Sequence, residues 1–366
     1  MKFLLLPRII ESRDFHSLPN KNLKFEIANI SDHYAGLIKA LSLKNHEIKI
    51  LLGDSIFIGF RTELVGNFFT KLILKILRNL PGLRQLDVFF YSVFIGFYCK
   101  YFKIDVVYCE LERKFNPSIS KKISKKTFFH EWVGVHPHFL GKSTMNNIKN
   151  FDVIWSLGLY KKNVNVPNRQ AWQYIGNVVD PDAFERKPVA KDIDILFCGG
   201  VTAKHSERIK FLEMVSKEFA NFHFYGYGLE YIPSESPLRL CFKGWKSPAE
   251  IPDLIAKSRI ILNLTMDDYD ILEKGYNSRL LEVACTGTSV QILKLDDKIS
   301  EFLDINKSVV TFTDQFDFVH KAREVLQNYE SYRKMILHAK KEAAIFNYDR
   351  FTNMILEELQ LKNGEK

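Results

Sequence analysis

The sequence predicts an α/β protein made of two doubly wound, Rossmann-like halves facing a central cleft. Three observations predict it. Apolar runs of strand length alternate with segments of helical period, the pattern of parallel sheets covered by helices. The alternation pauses between residues 161 and 186 and then restarts, so there are two such halves. The chain has 366 residues, too many for one ordinary core and suited to two domains.

In the first half, residues 3–6 read as a strand and 32–43 as a helix, with Asp32 placed to cap its start. Asn45-His46 breaks that helix, and 47–52 forms the next strand. Residues 68–80 place Lys71, Lys75 and Arg78 on one helical face and Leu72, Ile73, Ile76, Leu77 and Leu80 on another. This basic amphipathic helix ends at Pro81. A more apolar helix covers 86–102, and strands follow at 104–109, 126–130 and 151–156.

Lys187-Pro188 marks a linker, and the first domain is assigned to 1–185. In the second half, strands are expected at 194–198, 221–225, 238–243, 260–264, 289–292 and 308–312. Helices are expected between them at 207–219, 248–258, 278–286 and 316–328, with a helical tail over 329–361. The second domain runs over 186–349.

Composition excludes several classes. Hydrophobic residues make up 46% and charged residues 26%, which marks a globular chain and not a disordered one. Five scattered cysteines without a C-x-x-C pair argue against a disulfide framework or a zinc site and for a reducing cytosol. The opening MKFLLLPRII has too short an apolar run for a signal peptide and reads as a first strand. The longest uncharged apolar run, 88–99, is too short to span a bilayer.

The net charge of +9 is uneven: residues 1–170 carry 26 Lys and Arg against 13 Asp and Glu. Such a field attracts anionic partners, a membrane surface among them. The basic residues follow no nucleic-acid motif, so nucleic acid is not expected as a partner.

Three segments carry chemistry. In DILFCGGVTAKHSERIKFL a strand runs through Gly199-Gly200 into a helix. The glycines let the backbone approach a ligand, and the helix start offers unpaired N–H groups to phosphate. Lys204 and Arg208 are placed to neutralise a diphosphate. In EKGYNSRLLEVACTGTSVQI, Arg279 and Glu282 lie three apart on one helix face. They form an ion pair there, or a carboxylate for the two hydroxyls of a ribose and an arginine for phosphate. In TFFHEWVGVHPHFL, His130 is expected where a strand ends. His136, His138 and Glu131 follow no standard metal spacing, so no metal is expected and His130 reads as a substrate contact.

On these residues, positions from about 174 to 350 resemble the C-terminal domain of the group-1 (family 4-like) glycosyltransferases of GT-B fold. The closer likeness is to the branch that includes spore-maturation-protein-type glycosyltransferases. YIGNVVDPDAF resembles the interdomain segment, with Asn177 and Asp180 matching. CGGVTAKHSERIKFL resembles the donor-phosphate loop. FYGYG with FKGWKSPAEIPDLIAKSRIILNL resembles the base-binding loop, and NSRLLEVACTGTSV resembles the R-x-x-E-x-x-A-x-G segment. DHYAGLIKALSLKNHEIKIL resembles the family's first helix and second strand, with its Gly-rich loop reduced to Gly36.

The resemblance implies an EC 2.4 glycosyltransferase of hexosyltransferase type, retaining and metal-independent, that uses a nucleotide-sugar donor and no cofactor. It implies a lipid-linked or cell-envelope glycan acceptor and a place in polysaccharide biosynthesis. The enzyme would be cytoplasmic, with peripheral attachment to the inner face of a membrane left open by the basic first half. The first domain would be the acceptor side, and the last helix, about 350–366, would cross back onto it.

The resemblance assigns His130, Lys204 and Arg208 to catalysis. It assigns Gly36, Gly199, Gly200, Gly244, Trp245, Lys246, Glu273, Arg279 and Glu282 to the donor. Of the family's two glutamates spaced E-x7-E, Glu282 matches the second. Lys274 occupies the position of the first, with Glu273 one residue out of register. That departure motivates an alternative, a catalytically silent glycan-binding or structural subunit. An epimerase of the same fold would need acid and base carboxylates, for which Asp267, Asp268 and Asp270 form the one nearby cluster.

Overall fold

The computed structural model describes residues 1–6, 32–51, 81–110, 116–133, 148–202, 205–265 and 271–364. The chain divides into two compact units. One comprises Met1–Leu157 with Lys162–Ile175, the other Gly158–Lys161 with Gly176–Lys366. The basic segment 68–80, the pair His136 and His138, Lys204, and the aspartates at 267, 268 and 270 lie outside the described residues.

In chain order the first unit gives β1 (Lys2–Leu6), α1 (Asp32–Leu43), β2 (Glu47–Ile50), α2 (Pro81–Phe102), β3 (Val106–Glu110), α3 (Pro117–Ile123), β4 (Phe128–Val133) and β5 (Val153–Ser156). The two-residue β6 (Leu159–Tyr160) counts with the second unit, and β7 (Trp172–Tyr174) completes the first. The sheet order is β2-β1-β3-β4-β5-β7, parallel throughout. Such a sheet is covered on both faces, so its strands are apolar almost without alternation. Phe3, Leu4, Leu5 and Leu6 of β1 are all buried.

Two short elements escaped the sequence pattern. Helix α3 is opened by Asn116, whose side chain accepts from the Ser118 N–H, with Pro117 in the first turn, a legible start signal. Its seven residues are too few to show an apolar period. Strand β7 is three residues long and exists through its pairing with β5. Helix α2 starts at Pro81 and not at 86. Proline has no N–H to lose at a helix start and presets φ for it, so Pro81 opens this helix.

Two expected positions are corrected here. His130 is the third of six residues in β4, since pairing with β3 and β5 carries the strand on to Val133. It therefore does not end a strand. Gly36 sits inside α1, not in a loop, because its segment keeps helical hydrogen bonding from Asp32.

The second unit contains α4 (Pro181–Phe184), β8 (Ile193–Cys198), α5 (Ser206–Glu218), β9 (Phe222–Tyr225), α6 (Leu238–Cys241), α7 (Ile251–Lys257), β10 (Ser258–Asn263), β11 (Leu272–Lys274), α8 (Arg279–Thr286), β12 (Val290–Lys294), β13 (Val310–Phe312), α9 (Gln315–Gln327), α10 (Arg333–Ala343) and α11 (Tyr348–Gly364). Its sheet has the order β13-β12-β10-β8-β9, again parallel. Strands β6 and β11 form a separate antiparallel ribbon. The rings of Phe211, Phe312 and Phe318 meet pairwise at 5.2–5.3 Å in the core between sheet and helices.

The strand expected at 238–243 is instead helix α6. Leu238 is buried while Leu240 is 81% exposed. A strand would put both on one face; a helical turn separates them. Pro237, with φ −60° and ψ −21°, starts that turn.

From β8 the chain winds one way to β9 and the other way to β10. The strand order thus reverses between β8 and β10, and open α/β sheets hold ligands at the carboxyl ends of strands at such a switch point.

Candidate functional site

Three glycine turns meet beside this switch point. After β8 come Gly199 and Gly200; after β9 come Gly226, Tyr227 and Gly228; beyond α6 comes Gly244. Backbone bonds zip them together. The Gly199 N–H donates to the Tyr225 carbonyl at 3.0 Å, Val201 to Tyr227 at 3.0 Å, and Gly226 to Gly244 at 2.9 Å. Gly226, Gly228 and Gly244 all have positive φ, at 155°, 101° and 86°. A Cβ on Gly226 would overlap the Gly199 carbonyl, and one on Gly200 would fall inside the Tyr227 ring. Gly226 and Gly228 are required by close backbone approach as well as by φ, and Gly244 by φ alone.

Arg208, in the first turns of α5, bridges the ends of β8 and β10. Its Nη1 donates to the Gly200 carbonyl at 2.9 Å and its Nη2 to the Thr265 carbonyl at 2.7 Å. These carbonyls follow β8 and β10, so one guanidinium holds together the two strands that flank the switch point. The planar fork of arginine suits this double task; a lysine would not reach both.

Arg279 and Glu282 form an ion pair at 2.7 Å on the first turn of α8, with side chains 26% and 20% exposed. Both act on Cys198 at the end of β8. Burial pushes its thiol up to about 11, which Arg279 opposes and Glu282 reinforces. The carboxylate thus stands near the strand end that leads into the glycine turns.

A chain of amides supports this helix. Asn277 Nδ2 donates to Asn263 Oδ1 at 2.8 Å, Asn263 Nδ2 to Gln291 Oε1 at 2.7 Å, and Gln291 Nε2 to the Leu280 carbonyl at 3.1 Å. It links the end of β10, strand β12 and the start of α8. Asn277 Oδ1 is buried without a hydrogen-bond partner among the described residues. Sequence reasoning missed these three residues, although for Asn263 and Gln291 an amide within the apolar runs SRIILN and VQILK was a readable signal.

The remaining expected residues are placed as follows. Trp245 is 54% exposed beside Gly244. Lys246 is tied to Glu250 at 2.8 Å. Glu250 also accepts from the Ser247 N–H and hydroxyl, and these bonds, Lys246 first, hold its carboxyl down at about 2. Glu273 and Lys274 are both exposed on β11, whose pairing with β6 shifts register between Leu272 and Lys274.

In the first unit, His130 is fully buried and its Nδ1 accepts from Trp155 Nε1 at 3.2 Å. A neutral His130 therefore carries its proton on Nε2. The segment 176–180 packs within the second unit: Asn177 Nδ2 donates to the Tyr276 carbonyl at 2.7 Å, and the Val179 N–H donates to Phe346 at 2.9 Å. Among the described residues, no three His, Cys, Asp or Glu side chains converge as a metal site.

Residues 208–355 match a family model described as Glycosyl transferase-like. That span holds Arg208, two of the three glycine turns, Arg279 and Glu282. No curated protein matches the chain in sequence. Solved structures resemble it along its whole length. A glycosyltransferase from Rickettsia africae ESF-5 superposes with a TM-score of 0.60 at 12% identity, covering 98% of each chain. Anabaena HepE in complex with UDP-glucose gives 0.60 at 11% identity, over 98% of this chain and 99% of that one. A UDP-N-acetylglucosamine 2-epimerase from Listeria monocytogenes, described as putative, gives 0.53 at 11%, over 100% and 97%. These likenesses show the fold: two Rossmann-like α/β units of the GT-B class.

Proposed function

We propose that the chain is a glycosyltransferase that moves a sugar from a nucleoside-diphosphate donor to a glycan acceptor. One observation carries the reading. The glycine turns and Arg208 meet at the switch point of the second sheet, and the Arg279–Glu282 pair acts on Cys198 at the end of β8; all but the first of these turns lie in the segment with Glycosyl transferase-like sequence. The likeness in fold to HepE, which binds UDP-glucose, supports the donor class.

In this reading the glycine backbone and the start of α5 receive the diphosphate, with Lys204 and Arg208 supplying positive charge. Arg208 does so while bound to two carbonyls, so it acts as much by fixing the loop as by contact. Glu282 receives the ribose hydroxyls, and Trp245 and Gly244 flank the base. Glu273 is assigned to the donor sugar, and His130 to the transferred sugar. The bond from the anomeric carbon to the diphosphate oxygen breaks, and the diphosphate leaves with the electron pair. The acceptor hydroxyl oxygen bonds that carbon, and its proton passes to the departing phosphate. Fixed cations and N–H groups stabilise this leaving group, so the reading invokes no metal and no cofactor. It places the transfer as retaining.

The likeness of CGGVTAKHSERIKFL to the spore-maturation branch and the basic first half support a cell-envelope or lipid-linked acceptor at the cytoplasmic face of a membrane. In this reading the attachment is peripheral; no helix among the described residues is long and apolar enough to cross a membrane. The silent-subunit alternative is favoured by Lys274 at the place of the first family glutamate.

A thermal-shift panel tests the reading, with UDP, GDP, ADP, CMP and their common sugars on wild type and Glu282→Ala. A ligand at 100 times its Kd stabilises by about 2.7 kcal/mol. Stabilisation by one nucleoside diphosphate, lost in Glu282→Ala, supports the transferase and names the base. No shift with any nucleotide withdraws it in favour of the silent subunit.

A further inference from the structure

Helix α2 is apolar on both sides. Its inner face buries Tyr91, Ser92, Ile95 and Cys99. There the backbone at Gly96 closes on Ser120 and Ile123 of α3. The Ser120 hydroxyl donates to the Ser92 carbonyl at 2.5 Å, and the Asn116 N–H donates to the Ser92 hydroxyl at 2.9 Å. The orientation of the helix is therefore fixed.

Its outer face carries Leu86 (50% exposed), Phe90 (42%), Phe94 (40%), Phe97 (59%) and Tyr101 (80%). Spaced by four, four, three and four, they fall within about 80° of arc along the helix. With Phe89 at the flank, also exposed, this presents on the order of 600 Å² of side-chain surface. A contiguous exposed apolar patch of that size stands at the upper end of what soluble monomers present and is often functional.

We propose that this stripe is a membrane-docking surface, on which α2 lies in the plane of an anionic lipid bilayer. Charge selects the occupant. Lys100 and Lys103 stand exposed at the end of the helix, and Lys122, Lys125 and Lys126 are exposed on α3 and the turn after it. Residues 1–170 hold 26 basic against 13 acidic side chains. A second copy would bring the same positive field face to face, whereas an anionic surface is attracted by it. Aromatic side chains flanked by lysines also suit the bilayer–water interface.

The inference gives the membrane attachment proposed above a definite surface, and its test needs no donor or acceptor, so it fails or stands apart from the transferase reading. The full chain is floated with phosphatidylglycerol-containing vesicles and with phosphatidylcholine vesicles, alongside Phe97→Glu/Tyr101→Glu and, as control, Phe316→Glu. Phe316 is 77% exposed in the second unit. Wild type and the control should bind the anionic vesicles in a salt-dependent way. The double variant should lose about tenfold or more of that binding while keeping its melting temperature. Unchanged binding by the double variant overturns the proposal. So does a wild-type dimer in light scattering that the double variant converts to monomer without any vesicle binding. A double variant that melts much earlier yet binds vesicles like wild type marks the stripe as core-facing and also overturns it.

Discussion

Arg208 fixes Thr265: its Nη2 donates to the Thr265 carbonyl at 2.7 Å, while Nη1 holds Gly200 on the neighbouring strand end. Arg208→Gln keeps a donor but cannot span both. Losing charged hydrogen bonds to two carbonyls should cost about 1.5–3 kcal/mol in urea unfolding. Nucleotide affinity should fall as well, because the loop it fixes is the proposed phosphate cradle. A calorimetric titration that shows wild-type affinity with reduced stability would confine Arg208 to a structural role.

Tyr227 covers Gly200 so closely that a Cβ can be added beneath it only if the ring moves. The ring is exposed and can swing aside, so Gly200→Ala should cost about 1 kcal/mol, the low end of overpacking. Tyr227→Ala, a 61% exposed ring, should cost much less. The double variant should recover most of the Gly200→Ala loss, since the clash is with that ring. A strictly additive double-mutant cycle would contradict this contact.

The Arg279–Glu282 pair is partly exposed, so its contribution to stability should stay at or below about 1 kcal/mol. Glu282→Gln preserves shape and removes the charge. It should leave the melting temperature within a few degrees of wild type, yet weaken donor binding by about tenfold or more if the carboxylate receives ribose hydroxyls. Equal binding by wild type and Glu282→Gln would leave the ion pair as its whole role.

Alkaline pH should unfold the protein early. Burial raises the thiols of Cys99 and Cys285 from 9.0 to about 12. Below pH 9 both are neutral in the folded and the unfolded chain, and their contribution is fully present. Between pH 9 and about 12 the unfolded chain ionises them and the folded chain does not, so stability is lost as pH rises. Each such group costs about 1.4 kcal/mol per pH unit in that window. Melting curves from pH 8 to 11 should fall less steeply for Cys285→Ala than for wild type.

Much of the architecture was legible because it is local. Every strand of the second sheet was found within two residues, as in ILFC of β8, since a parallel strand buried on both faces must be a short apolar run. The glycine-then-helix pattern at Gly199-Gly200 and the i, i+3 spacing of Arg279 and Glu282 were equally visible. The errors came where neighbours decide. The run 238–243 has strand-like residues, but Pro237 turns it into α6. The histidine at 130 looked like a strand end until β3 and β5 extended the strand past it.

The sequence by itself determined two successive parallel-sheet halves, the place of the glycine turns, and the one-sided charge, because apolar period, glycine and net charge are properties of short stretches of chain. Tertiary structure alone decided that Arg208 spends its guanidinium on two carbonyls, that Asn277, Asn263 and Gln291 form one chain of amides, and that one stripe of α2 faces outward. Those facts depend on which strand ends and helices meet across dozens of residues, and hydrogen-bond geometry and burial are fixed only when the packed partners are in place.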